Sequence, residues 1–324
     1  AYNDRAGLVD AFDGMGDLEN KIIRCVGNPL DRFGEDALRM LRAVRFSAQL
    51  GFAIDEGTKS AITKLAPNLE KISAERIQVE LVKLLTSDHP DYLRVAYETG
   101  ITAVVLPEFD ACMNCEQNNP FHIYTVGEHT LQSLLHVEND KVLRLTMLFH
   151  DFGKPLTHSK NEDGISKFYG HPAVSSDMAR EIMRRLKFDN DTTDKVKKLT
   201  AEHDRLIKNE PNRVRRAVSK IGKELFPYFL KVRMADIMAQ NPEKQRERLT
   251  ELEKLEGLYQ EILEKDEAVS VKELAVDGKD LIASGVKQGK QIGEILSELL
   301  EIVLEEPEKN TKEALLSHVK ETYF

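Results

Sequence analysis

The sequence predicts a mainly α protein with a small β portion at its N-terminus. Three observations carry that expectation. Leu38, Leu41 and Val44 recur at helical spacing within 35–50, with no glycine or proline between them. Residues 242–267 are rich in Glu, Lys, Arg and Leu, with opposite charges four residues apart. Strand-like alternation is confined to a loose instance at Gly7–Phe12.

Taken in order, Asp13-Gly14 and Gly16-Asp17 read as turns after that alternation, and Pro29 reads as a break before a helix over 35–50. Gly51 ends that helix. Helical periods follow over 55–66, 73–87 and 90–99, punctuated by Pro67, Pro90 and Gly100. An Asn, Gln and Pro loop runs from Asn114 to Pro120, and Val142 to Phe149 reads as an apolar helix. In the tail, Gly278, Gly285, Gly289 and Gly293 mark either helix starts able to bind phosphate or a pair of tight turns. Glu305 to Lys312 is a charged connection before a last short helix.

Composition bounds the function. With 324 residues, 41% hydrophobic and 31% charged, the chain suits two or three soluble domains. No apolar run approaches the roughly 20 residues that span a bilayer, so no membrane role is expected. A net charge of −9 argues against a broad, indiscriminate nucleic-acid surface but leaves room for a local basic groove, with Asn212 to Lys223 the candidate. A solvated helix face explains that basic run equally well. Three cysteines are too few for a disulfide framework, which points to a reducing cytoplasm. Cys112 and Cys115 form a lone C-x-x-C with no second pair, which gives little reason to expect zinc.

On the 35–50 helix, Arg39, Arg42 and Arg45 follow Asp36 in a shallow spiral. Three guanidiniums so arranged need an anion opposite, and a nucleoside triphosphate or an RNA backbone would serve. Asp36 can accept from the exocyclic amine of cytosine or adenine while Arg39 donates to the ring, so the pair can read a base edge. A solvated face with local Asp–Arg pairs is the other reading.

Asp31-Arg32-Phe33, Glu35-Asp36-x-x-Arg39 and Leu41-Arg42-Ala43-Val44-Arg45-Phe46-x-x-Gln49-Leu50-Gly51-Phe52 resemble the neck of class II tRNA nucleotidyltransferases, the CCA-adding enzymes, and of their bacterial poly(A) polymerase relatives. The resemblance implies that Asp36 and Arg39 select CTP or ATP and that Arg42 and Arg45 help bind the nucleotide. Ser73-Ala74-Glu75-Arg76-Ile77-x-x-Glu80-Leu81 resembles the next neck motif, in which Arg76 and Glu80 brace the recognition helix. In that family a glycine-rich loop and paired metal-binding aspartates precede the position matched by Ala1. The resemblance therefore implies a fragment lacking most of its catalytic head, with the Mg2+ used in transfer held there, and incapable by itself of adding nucleotides.

A second set comprises His129, His150-Asp151 followed by Gly153-Lys154, His171, His203 and Asp236. Imidazole and carboxylate suit divalent ions that activate water. The order and spacing resemble the HD-domain superfamily of metal-dependent phosphohydrolases. The resemblance implies His129, His150, Asp151 and Asp236 as ligands of one ion such as Ni2+, Mn2+ or Mg2+, with His171 and His203 placed for a second. Asp151 and Lys154 are the catalytic candidates. His122 and Tyr124 are taken as shaping the pocket mouth.

The expected organisation is a β remnant of the nucleotidyltransferase head at 1–20, a helical neck at 21–112, an HD helical bundle at 113–245 and a helical tail at 246–324. The expected function is nucleotide selection in tRNA 3′-end addition, with CTP, ATP and tRNA as partners. The alternative is hydrolysis of phosphomonoesters or 2′,3′-cyclic phosphates at the histidine cluster.

Overall fold

The structure, a computed structural model, describes residues 2–4 and 7–324 and is dominated by helices. Tyr2–Asn3 (β1) pairs antiparallel with Gly7–Leu8 (β2). The turns expected at Asp13-Gly14 and Gly16-Asp17 are instead helix α1, Gly14–Glu19. The Asp10 carboxylate accepts the Gly14 and Met15 amides at 2.8 and 2.7 Å, supplying the cap the turn reading lacked. Ile22–Ile23 (β3) then pairs in parallel with Ala53–Ile54 (β4).

The helix expected over 35–50 begins at Leu38, and a separate short helix precedes it. Pro29 starts α2, Pro29–Glu35, where its missing amide costs nothing, and Asn28 caps it. Asp36 is extended, with φ −149° and ψ 103°. Leu38–Leu50 follows as α3. The break has a local cause: Asp36 Oδ1 accepts the Leu38 amide at 3.1 Å, so the acid turns from helix interior to cap. Gly51 ends α3 at φ 65°, a conformation that suits glycine.

Helices α4, Glu56–Leu65, and α5, Ala74–Leu85, follow. Three short helices come next: α6, Leu93–Glu98; α7, Ile101–Val105; and α8, Pro107–Met113. Then come α9, Val126–Leu135; α10, Lys141–Phe149; and α11, Lys154–Thr157. A hairpin of Ser159–Lys160 (β5) and Ser166–Lys167 (β6), not foreseen in the sequence, precedes α12, His171–Arg185, and α13, Asn190–Glu202. The chain ends with α14, Pro211–Ile221; α15, Phe226–Met238; α16, Pro242–Glu264; α17, Gly278–Ala283; α18, Lys290–Glu305; and α19, Lys312–Tyr323.

These elements form two compact units, Ala1–Asp204 with Lys231–Arg246, and Arg205–Leu230 with Glu247–Phe324. The expected neck and histidine-bearing segments thus share the first unit, and 205–230 groups with the tail. In the first unit, α3 packs on α5, and Met40, Leu41 and Val44 of the one and Leu81 and Leu84 of the other are nearly or fully buried. Helix α10 is buried from Leu143 to Phe149 because α5, α9, α12 and α13 pack on it, and its buried Arg144 donates to the Leu134 and Glu138 carbonyls.

In the second unit, Leu281, Ile295, Leu299, Val303, Leu315 and Val319 form the core. Arg215 is buried there: its Nε donates to the Leu304 carbonyl at 2.7 Å and a terminal nitrogen donates to that of Glu305 at 3.0 Å, closing the end of α18. Part of the basic run at 212–223 is therefore structural. The amides starting α17 are taken by the Asp277 capping box, which leaves less room for phosphate there.

Leu84 is fully buried between packed helices, whereas Val79 on the same helix is 46% exposed. Leu84→Ala is expected to destabilise the protein by about 2–5 kcal/mol. Val79→Ala should fall within about 0.5 kcal/mol of the parent. Urea denaturation monitored by circular dichroism measures both.

Candidate functional site

The first candidate site is the junction of α2 and α3. Asp36 Oδ2 accepts from Arg76 of α5 at 2.8 Å, while its other oxygen caps α3. The hydrogen bond from Arg76, opposed by partial burial and helped by the Leu38 amide, holds the Asp36 carboxyl below its ordinary value. It is thus an anion with acceptor capacity remaining, since a carboxylate takes about four hydrogen bonds. Beside it, Arg39 donates to Glu35 at 2.6 Å and to the Arg32 carbonyl at 2.9 Å, and remains about one-third exposed. Arg42 is exposed.

Arg45 does not join that face. Its side chain is 9% exposed and its Nε lies 2.6 Å from Glu80 on α5. It also donates to Gln49 at 2.7 Å and lies over the Phe46 ring, 3.7 Å from the centroid. The structure therefore brings Asp36 and Arg39 together, leaves Arg42 on the surface and turns Arg45 inward. Arg76 and Glu80 brace the helix from one neighbour, each holding one of its charged residues.

The second candidate site gathers His129, His150, Asp151, His171, His203 and Asp236, all buried in the first unit. They come from α9, the end of α10, the start of α12, the end of α13, and α15. Gly153 permits the approach, because a Cβ there would lie 2.7 Å from the His171 carbonyl oxygen and the Ser175 nitrogen. Ser175 Oγ also accepts the Gly153 amide at 2.8 Å.

Four of the rings are set in one tautomer. Nδ1 of His150, His171 and His203 lies 2.7, 2.9 and 2.7 Å from the carbonyls of Met147, Phe168 and Thr200. Nδ1 of His129 lies 3.3 Å from that of Ala239. A carbonyl only accepts, so each Nδ1 carries a hydrogen and each Nε2 is turned inward, toward the buried carboxylates. The Nε2 atoms of His171 and His203 face each other at 3.3 Å, a contact that one shared proton or a bound cation would satisfy.

Asp151 Oδ1 is 3.3 Å from His171 Nε2 and 3.6 Å from His203 Nε2, and Oδ2 is 3.2 Å from His150 Nε2 and 3.7 Å from His129 Nε2. Two groups can hold a divalent ion, His129 with His150 and Asp151, and Asp151 with His171 and His203. His150 Nε2 and both Asp151 oxygens are buried without hydrogen-bond partners, the condition an ion would relieve. Asp236 is 3.0 Å from His129 Nε2, and Gln240 donates to it at 2.9 Å.

Burial alone would raise the Asp151 carboxyl, but the charges of His150 and Lys154 overcome it and hold it well below the carboxylate range. Asp236 is held down in the same way against its burial, chiefly by His129. Lys154 Nζ is 2.7 Å from Asp151 Oδ2.

Two residues of the 114–125 loop belong to this site. Gln117 is buried and its Oε1 accepts from Lys154 at 2.7 Å. His122 stands edge-on to His129 with ring centroids 4.9 Å apart. Burial, then the charges of Lys154 and His129, push it down to about 2, so it is a neutral imidazole. The sequence had read Gln117 as part of a loop and His122 as part of the pocket mouth. Aperiodic segments give no facing, so only their polar character was available as a signal.

Two family models match the chain: "Probable RNA and SrmB- binding site of polymerase A" over 51–113, and "tRNA nucleotidyltransferase domain 2" over 156–319. A CCA-adding enzyme from Limosilactobacillus reuteri is 32% identical over 99% of this chain and 68% of its own length. A CC-adding tRNA nucleotidyltransferase from Thermus thermophilus is 31% identical over 82% of this chain and 62% of its own. Among solved structures, the Bacillus stearothermophilus CCA-adding enzyme in complex with CTP matches 99% of this chain and 71% of its own. Its TM-score is 0.69 and its identity 26%.

The buried Arg45–Glu80 pair carries a stability expectation. Glu80→Ala strands a buried guanidinium and should cost about 3–5 kcal/mol. Combining it with Arg45→Met should recover most of that loss in urea denaturation, because no unpaired charge remains.

Proposed function

The chain belongs to the class II CCA-adding tRNA nucleotidyltransferase family, and on that premise we propose that the α2–α3 junction selects the incoming nucleotide by its base edge. The observation that carries this reading is the ionised Asp36, held by Arg76 and the Leu38 amide beside the partly exposed Arg39. An anionic acceptor and a fixed guanidinium match the donor and acceptor edges of cytosine and adenine. Arg42 then meets the phosphates, with Mg2+ accompanying the triphosphate. Arg45 serves through its pair with Glu80, keeping the helix in place. The tRNA 3′ end is the proposed acceptor.

A cavity of about 800 Å3 in the second unit, lined by Arg205, Lys208, Arg213, Arg216 and Lys220, supports contact with the tRNA backbone. Arg216 is partly committed there, pairing with Glu301 at 3.1 Å and Glu305 at 2.7 Å.

A second reading is favoured by the four fixed imidazoles. We infer a metal-dependent phosphohydrolase centre in the first unit, acting on phosphomonoesters or 2′,3′-cyclic phosphates. His129, His150, Asp151, His171, His203 and Asp236 would hold the metal. When bound, a divalent ion such as Ni2+, Mn2+ or Mg2+ supplies Lewis acidity and lowers the pKa of water. The backbone carbonyls orient the imidazoles, and Lys154 offers positive charge to a phosphate.

Calorimetric titration with CTP, ATP, GTP and UTP tests the first reading. Asp36→Ala should weaken CTP and ATP binding by about tenfold or more and leave GTP and UTP unchanged. Equal losses for all four would contradict base-edge selection. For the second reading, phosphate release from p-nitrophenyl phosphate with added Mn2+ or Ni2+ should fall about a hundredfold or more in His150→Ala and Asp151→Ala. Release that survives both substitutions would rule the centre out.

A further inference from the structure

The metal-centre reading gives Lys154 a role toward phosphate but does not explain why its ammonium rests on Asp151. Lys154 is buried, and a buried ammonium requires partners. It has two, each at 2.7 Å: Asp151 Oδ2 and Gln117 Oε1. They differ in kind. The contact with Gln117 is a hydrogen bond to a neutral amide, whereas that with Asp151 Oδ2 is an ion pair. The ring of Phe168 lies 5.4 Å from the ammonium on a further side.

Asp151 is also the residue common to both groups able to hold a divalent ion. An ion taking that carboxylate would repel the ammonium now resting on it. The ammonium has somewhere to go, because Gln117 is itself fixed. Gln117 is buried, its Nε2 donates to the Tyr124 carbonyl at 3.4 Å, and the adjacent Asn118 exchanges hydrogen bonds with Ser166.

We propose that Lys154 is the resident counter-cation of Asp151, that it gives up this carboxylate to an incoming metal ion, and that Gln117 then holds its ammonium toward the phosphate group of the substrate. Gln117 is thus a positioning residue acting through Lys154. The proposal rests on the metal-centre reading above and adds to it an exchange of cations on one carboxylate. No covalent step is involved, only replacement of one positive partner of Asp151 by another.

The experiment is Mn2+ titration calorimetry on the full chain, with circular dichroism to confirm folding. Lys154→Met removes the competitor and should tighten Mn2+ binding about tenfold. Gln117→Leu leaves Asp151 as the only strong partner of Lys154 and should weaken Mn2+ binding about tenfold. The double variant should bind like Lys154→Met alone, because Gln117 acts only through the lysine. A merely structural Gln117 would weaken binding in both backgrounds, which overturns the proposal, as does a Lys154→Met variant that binds Mn2+ no tighter than the parent. A second readout uses inorganic phosphate in the presence of Mn2+. Its affinity should fall in Gln117→Leu and be retained in the milder Gln117→Asn. If the parent binds neither Mn2+ nor Ni2+, the metal-centre reading falls and this inference with it. If the parent binds Mn2+ and the variants match it, only the inference falls.

Discussion

Two ion pairs between α5 and the α2–α3 segment set the geometry on which the proposed recognition site depends. Arg76 holds Asp36 at the exposed end, and Glu80 holds Arg45 in the core. The contacts differ in character. The first is partly solvated and fixes a carboxylate that is still able to accept hydrogen bonds. The second is buried, and its value lies in defining one register between two helices rather than in added stability, since buried pairs gain little over apolar packing. A protein that reads a base without a nucleic-acid template needs its acceptor and donor fixed to within fractions of an ångström. A bracing helix that grips the proposed reading segment at two points meets that need.

The same bracing helix packs against α10, whose end carries His150 and Asp151. The reading segment and the histidine cluster are therefore parts of one packed unit. Further bonds join the halves of this unit: Arg185 of α12 meets Glu108 of α8 at 2.6 and 2.9 Å, and Arg94 of α6 pairs with Glu128 of α9. Glu128 immediately precedes His129, so one of these pairs also positions a candidate ligand. Within the cluster the recurring device is a backbone carbonyl three residues back, which sets the tautomer of His150, His171 and His203. The carbonyls there are those left open at helix ends or in the adjoining turns, so the fold supplies the orientation without extra side chains.

The helical class was legible from period, and the bracing positions of Arg76 and Glu80 and the meeting of the six histidine-cluster residues from the family resemblances that their motifs carry. The sequence misled where one residue serves two geometries. Asp36 fits the helical period yet bonds the Leu38 amide and interrupts the helix. Arg45 was grouped with Arg39 and Arg42, but successive steps of three residues turn by about −60°, so Arg45 lies about 120° from Arg39. It also falls seven residues after buried Leu38, on the same side of the helix. Gln117 was not legible as a site residue because a loop has no period from which to infer facing, whereas His122 was expected only at the pocket mouth. The grouping of 205–230 with the tail depends on long-range packing of α14 against α18, which local pattern does not encode.

A structure of this chain with bound CTP tests the central claim most directly. The account predicts the cytosine amino group within hydrogen-bond distance of the Asp36 carboxylate, with the ring facing Arg39 and the Asp36–Arg76 pair intact. A base bound elsewhere, with Asp36 and Arg39 touching only protein or solvent, would contradict it.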